Sequence, residues 1–399
     1  MKILSIETSC DETAIALVEV TIKESSITAD QIESELFSQI DIHKEFGGVF
    51  PAVAKREHAK HLPILLEKIL KFQETRQRED KDWIPASARM TTQKMDSYLH
   101  KNDIWKEIEA LLEREVGLFE TFKKLVTAHE TPHIDTIAVT TGPGLEPALW
   151  VGINFARALS LYWNIPLVGT NHMKGHIFSV LLDQKEINFP ALALLISGGH
   201  TELVELNSVT DFNIIGKTKD DAVGESYDKV ARMLGIEYPG GPEIAKLAQE
   251  AREKNIGSGD IRLPRPMIHS KDLDFSFSGL KTAVLYTIRD LSEITPEIRM
   301  NIAHEFEQAV TDVILYKTKK ALEQKGYKSL IVSGGVIANT YLRSQLKALE
   351  VTEGVEVLFP KFTDSTDNAQ MIAVAGAIES TKTAPIINPE LRAQGNLPY

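Results

Sequence analysis

Lys2-Ile3-Leu4-Ser5-Ile6-Glu7-Thr8-Ser9-Cys10-Asp11-Glu12-Thr13-Ala14-Ile15-Ala16-Leu17-Val18-Glu19-Val20 reads as a β-hairpin with a functional tip. Residues 2–7 and 13–20 carry the alternation of a strand, and the polar turn between them, Thr8-Ser9-Cys10-Asp11-Glu12, bears two carboxylates. The pattern returns at residues 191–196 and 201–206, which flank Ser197-Gly198-Gly199-His200. A third glycine turn closes Leu330-Ile331-Val332-Ser333-Gly334-Gly335 and leads into a helical stretch near Ala338-Asn339. Two strand–turn–strand units in one chain predict two lobes with related beginnings. Gly198, Gly199, Gly334 and Gly335 leave backbone amides open to a phosphate, although a Gly-Gly after a strand also makes an ordinary tight turn.

Composition bounds what such a chain does. At 399 residues, 43% hydrophobic and 25% charged, it is long enough for two globular domains. The single cysteine, Cys10, excludes an internal disulfide framework and a cysteine zinc cluster, so any metal must use histidine and carboxylate. Residues 1–6 begin like the apolar part of a signal peptide, but Glu7, Asp11 and Glu12 interrupt it, so a core strand is the better reading. No apolar run approaches the roughly 18–20 residues of a membrane span, which points to the cytoplasm. A net charge of -12 argues against indiscriminate attraction to nucleic acid; any RNA contact must be local or shared with partners. The paired hairpins point to the actin, Hsp70 and sugar-kinase (ASKHA) architecture, an α/β fold of two duplicated lobes with the active-site cleft between them. The boundaries read as 1–188 and 189–399, with the last helix returning to the first lobe.

His172-Met173-Lys174-Gly175-His176 places two imidazoles on one helical face, where they can grip one metal ion. Met173 stands where a zinc protease of this spacing needs a glutamate base, which weighs against peptidase chemistry. Lys55-Arg56-Glu57-His58-Ala59-Lys60-His61 is a concentrated basic stretch that reads either as a phosphate contact or as a solvated helix face. Between about residues 73 and 132 the chain reads as an insertion. Residues 74–102 are polar and unpatterned, like a loop. Ile104, Ile108, Leu111, Leu112, Glu115, Phe119, Phe122 and Leu125 then follow an approximately helical period, that of an amphipathic helix docked on its own lobe or on a partner.

Several ordered motifs narrow the reading. Ile6-Glu7-Thr8-Ser9-Cys10-Asp11-Glu12-Thr13, the His172/His176 pair, Ser197-Gly198-Gly199-His200-Thr201 and Thr366-Asp367-Asn368 occur together. So do Gly47-Gly48-Val49, Gly142-Pro143-Gly144-Leu145, Gly224-Glu225-Ser226-Tyr227-Asp228-Lys229, Tyr238-Pro239-Gly240-Gly241-Pro242 and Phe275-Ser276-Phe277-Ser278-Gly279-Leu280-Lys281. With these the chain resembles the TsaD family over almost its whole length, the insertion at 73–132 being its main departure.

The resemblance implies a transferase that takes threonylcarbamoyl-AMP and modifies N6 of the adenosine 3′ of the anticodon in tRNAs reading codons that begin with A. It makes His172, His176 and Asp367 the ligands of one divalent metal, Fe(II) favoured and Zn(II) the second choice. It gives Leu195, Ile196, Ser197, Gly198, Gly199, Asp228, Gly241 and Asn339 to the adenylate, and an essential acidic role to Asp11 and Glu12. It also implies contact with the tRNA anticodon arm and companion proteins, a dimerising paralogue and an ATPase. From spacing alone Asp367 reads as the N-cap of the apolar helix that follows, and Asp228 as a solvent-facing acid. Two rival activities remain: an actin-like ATP-binding regulatory or scaffold subunit, in which the histidines are incidental, and, third, a metallopeptidase.

Overall fold

The computed structural model describes residues 1–23, 26–79, 97–183 and 185–399. These form two compact units: Met1–Gln39 with Val49–Phe178 and Asn368–Tyr399, and Ile40–Gly48 with Ser179–Asp367.

The first unit is built on β1 (Lys2–Glu7), β2 (Glu12–Lys23), β3 (Ser26–Ser38), β4 (Thr136–Gly142) and β5 (Leu167–Asn171), in the order β3-β2-β1-β4-β5. β1–β2 and β2–β3 are antiparallel; β1–β4 and β4–β5 are parallel. The strands sort their residues by size between the two faces. Leu4, Ile6, Ile137 and Val139 pack with Leu62, Leu66 and Ile69 of the Pro51–Glu79 helix and with Leu149 and Phe155 of the Glu146–Trp163 helix. The alternating small residues face the Ala369–Lys382 helix: the Ser5 hydroxyl donates to the Ala369 carbonyl at 2.6 Å, and a Cβ on Gly376 would come within 2.6 Å of Ala138 Cβ. β1 from Ile3 onward and the whole of β4 are buried, as befits strands of a parallel set covered on both faces.

The insertion differs from its sequence reading. Residues 74–79, expected in a loop, continue the Pro51–Glu79 helix, and residues 97–102 belong to a second helix, Ser97–Leu112; the rest of that expected loop, 80–96, lies outside the described residues. The apolar stripe expected on one helix is carried by two, Ser97–Leu112 and Leu118–Ala128. Gly117, at φ 79°, supplies the left-handed residue that breaks the run. Both bury their apolar faces in the core of their own unit, through Ile108, Leu112, Phe122 and Leu125.

The second unit is built on β6 (Ala191–Ile196), β7 (Thr201–Ser208), β8 (Asp211–Lys217), β9 (Ser329–Ser333) and β10 (Glu356–Leu358), in the order β10-β9-β6-β7-β8. β6–β7 and β7–β8 are antiparallel, β6–β9 and β9–β10 parallel. Counted from the antiparallel edge, both sheets run third, second, first, fourth, fifth strand. The duplication read from two hairpins therefore extends to the whole sheet, giving the two-lobed α/β fold of the ASKHA class. The core of this unit forms where Leu192, Leu194 and Val332 meet the Val223–Met233 and Pro296–Leu322 helices.

Candidate functional site

His172 is the first residue after β5 and opens the helix His172–Phe178, so it stands at the carboxyl end of a parallel strand, where open α/β sheets place their ligands. His176 follows one turn later. The two rings are buried, with centroids 4.7 Å apart and planes at 84°. A Cβ on Gly175 would meet Met371 and Ile372 at 3.1 Å, so this short helix lies hard against the Ala369–Lys382 helix. The capping reading of Asp367 is corrected here: Asn368 caps the latter helix, its side-chain oxygen accepting from the Met371 amide at 2.9 Å. Asp367 is the residue joined to that cap by a peptide bond. Ligand atoms of His172, His176 and Asp367 all lie within 4.8 Å of one another. Two imidazoles and a carboxylate are a donor set that suits Fe(II) or Zn(II), with coordination positions left over.

Behind His172 stands Glu7, which carries no sequence signal beyond its place in a motif. Fully buried at the end of β1, its carboxylate accepts from the Ser9 amide at 2.5 Å, the Thr140 hydroxyl at 2.6 Å and His172 Nδ1 at 3.1 Å. Asp11 is buried at the tip of the β1–β2 turn, and its carbonyl accepts from the Gln39 amide at 2.9 Å. Glu12 begins β2 opposite Ser38, whose hydroxyl donates to its carboxylate at 3.3 Å. The turn is braced by His58, buried, with Nε2 3.0 Å from the Cys10 carbonyl and Nδ1 2.7 Å from the Thr13 hydroxyl. A carbonyl only accepts, so His58 Nε2 carries a proton, and the ring ties Cys10 to Thr13 across the turn. Within the basic stretch only Arg56 and Lys60 are well exposed, and both pair with Glu57.

The second unit holds a cavity of about 370 Å³ lined by Gly198, Asp228, Gly241 and Asn339, together with Tyr227, Arg252, Glu307 and Tyr341. Leu195 and Ile196 are fully buried on opposite faces of β6, and Ser197 and Gly199 lie in the turn without lining the cavity. Open space surrounds the missing Cβ of Gly198, whereas a Cβ on Gly224 would strike the Ser197 carbonyl at 2.7 Å. Gly334, at φ 97° and 2.5 Å from the Ile196 carbonyl by the same measure, lets β9 turn beside β6. Asp228 is half-buried and accepts from the Gly240 amide at 2.8 Å, so it is not a purely solvent-facing acid.

Asn339 performs two tasks. Its oxygen caps the Thr340–Lys347 helix through the Leu342 amide at 2.9 Å, and its Nδ2 donates to Glu307 at 2.6 Å. Glu307 also accepts from Arg252 at 2.5 Å, and the Arg252 guanidinium stacks 4.0 Å from the Tyr341 ring centre. Burial pushes the Glu307 carboxyl above the usual carboxylate range, with Arg252 opposing, and burial beside Glu307 holds the Tyr227 hydroxyl well above its ordinary value. Pro239, Pro242, Ala245, Val336 and Ala338 give the cavity apolar walls, and Asp228, Lys246, Arg252 and Asn339 supply its polar groups. Arg252 shares the Gly240–Glu253 helix with Gly241, and Glu307 lies on the Pro296–Leu322 helix; nothing local in the sequence marks either side chain.

Among the described residues no helix is long and apolar enough to cross a membrane. The model of the TsaD family, described as tRNA N6-adenosine threonylcarbamoyltransferase, matches residues 30–82 and 119–374 and leaves 83–118 unmatched. A protein of Thermosipho melanesiensis named tRNA N6-adenosine threonylcarbamoyltransferase is 41% identical over 378 residues, covering 94% of each chain. A protein of the same name from Francisella philomiragia is 39% identical over 378 residues, with the same coverage. Among solved structures, component A of the (R)-2-hydroxyglutaryl-CoA dehydratase of Acidaminococcus fermentans overlays 96% of this chain and 99% of its own at 11% identity, with a TM-score of 0.44.

Proposed function

The chain belongs to the TsaD family of tRNA N6-adenosine threonylcarbamoyltransferases, and from that premise we propose that its donor is threonylcarbamoyl-AMP and its acceptor the adenosine 3′ of the anticodon in tRNAs reading A-starting codons. It is a tRNA-modifying transferase. The reaction joins the adenine N6 to the carbamoyl carbon, breaks the bond from that carbon to the phosphate oxygen, releases AMP and frees a proton from the amine.

The adenylate sits in the second unit's cavity. Leu195 to Gly199, the end of β6 and the turn that follows it, belong to the adenylate, with the glycines of the turn leaving backbone amides open to the phosphate. Asp228 accepts from ribose hydroxyls, Gly241 lets the base approach the backbone, and Asn339, anchored on Glu307, fixes the cavity floor. Asp11 and Glu12 supply the essential acidic pair, whose carboxylates can orient water, metal or the incoming amine. His172, His176 and Asp367 hold a divalent metal, Fe(II) before Zn(II), which when bound polarises a carbonyl and offsets charge on a leaving phosphate. The tRNA is met through few local cations and with companion proteins of the modification pathway, in the cytoplasm.

The convergence of three metal-ligand atoms within 4.8 Å is the observation that carries this mechanism. Its test is mass spectrometry of nucleosides from tRNA incubated with threonylcarbamoyl-AMP, with and without candidate companions. Threonylcarbamoyladenosine made by the wild type and not by His172→Ala is the expected result; equal product from both would remove the metal from the reaction.

A further inference from the structure

We propose that Glu7 is the positioning residue of the metal centre: it holds His172 in the Nδ1–H tautomer and so aims the Nε2 lone pair at the metal. The inference rests on the metal reading above and concerns a residue outside the ligand set. A carboxylate only accepts hydrogen bonds. His172 Nδ1, 3.1 Å from a Glu7 oxygen, must therefore carry the proton, and only Nε2 is left to ligate. The Ser9 hydroxyl, 3.2 Å from the same nitrogen, can share that proton as a second acceptor.

Glu7 is itself held from two sides, by the Ser9 amide and by the Thr140 hydroxyl. These donors and His172 belong to the turn after β1, to β4 and to the residue after β5, neighbouring strands of one parallel set. Burying a carboxylate completely is costly unless donors surround it, and an apolar residue would fill a strand end without that cost. The same carboxylate ties the turn that carries Asp11 and Glu12 to the first metal ligand, so an error in one would be transmitted to the other.

Carboxylate partners of metal-bound imidazoles typically change metal affinity by about 10–100-fold when removed. The experiment is a zinc titration of metal-stripped protein against a competing chelator, for the wild type, Glu7→Gln, Thr140→Val and Asp367→Ala. Nitrogen-15 NMR of His172 in the metal-free proteins runs beside it. Glu7→Gln is expected to weaken zinc by about 10–100-fold and to mix the His172 tautomers; Thr140→Val, which removes one of Glu7's donors, should give a smaller loss in the same direction. Should Glu7→Gln fail to fold, Thr140→Val decides. Zinc affinity untouched by Asp367→Ala would sink the metal reading itself. Binding lost in Asp367→Ala, but with both Glu7→Gln and Thr140→Val matching the wild type in affinity and tautomer, would leave the metal reading standing and overturn the role of Glu7.

Discussion

Asp367 and Asn368 are adjacent acceptors with different work. Asn368 satisfies an amide at the start of the Ala369–Lys382 helix, whose residues Ala369 to Ile378 are all buried, while Asp367 lies within ligand distance of two imidazoles. Removing an N-cap costs about 1 kcal/mol of stability. Asn368→Ala should therefore lower the melting temperature and keep activity in the cold, whereas Asp367→Ala should abolish transfer with the melting temperature of the metal-free protein nearly unchanged. Calorimetry and nucleoside analysis on both variants read the two effects separately, and loss of transfer in neither would refute the assignment of Asp367. The histidine pair was legible because helical spacing is a local pattern. The division of labour between 367 and 368 was not: both residue types cap helices, and only the placement of the His172–Phe178 helix tells them apart. Glu7 was illegible for a similar reason, since a carboxylate at a strand end shows its purpose only when β4 and β5 are laid beside β1.

At the scale of elements, the hairpins and the helix start at Asn339 were readable, whereas a helix start capped from elsewhere in the chain was not. The Ser278–Arg289 helix shows why. Its N-cap position, Phe277, offers no side-chain acceptor, and the task passes to Asp220, far away in sequence. Asp220 accepts from the Phe277 and Ser278 amides at 2.8 and 3.1 Å and from the Ser276 and Ser278 hydroxyls at 2.6 and 2.7 Å. Burial tends to raise its pKa, but those four bonds favour the carboxylate and hold it below the usual range. A carboxyl depressed in the folded state adds stability above its unfolded pKa, near about 4, and loses it as pH falls through the folded value. Asp220→Asn should melt about 2 °C below the wild type at neutral pH, with the gap closing as pH drops below about 4. Melting curves of both proteins from about pH 7 to pH 3 test this, and a gap that stays constant over that range would show that ionisation of Asp220 is not what holds the helix start.

For the molecule as a whole the constraint is charge. With a formal net charge of -12, the chain repels a tRNA at long range, so productive contact has to concentrate on the few cations that face the substrate. Arg56 and Lys60 are the available pair in the basic stretch, with side chains 73% and 63% exposed, since His58 is buried beneath the β1–β2 turn and Lys55 pairs with Glu115 at 2.8 Å. Both share the buried Glu57, but at 3.3 and 3.4 Å and with the cation ends open to solvent and salt, the pairing is screened and leaves Arg56 and Lys60 available to a phosphate. Each phosphate neutralised releases counterions and adds about 0.7–0.9 to the slope of log affinity against log salt. A few contacts therefore predict a shallow slope of about 2–4, against about 10 for a strongly basic repressor. Arg56→Glu and Lys60→Glu should each weaken tRNA binding and reduce that slope by about one. Filter binding across a salt series, with companion proteins absent and present, separates local from shared recognition. Unchanged affinity and slope in both variants would take this stretch out of the tRNA contact.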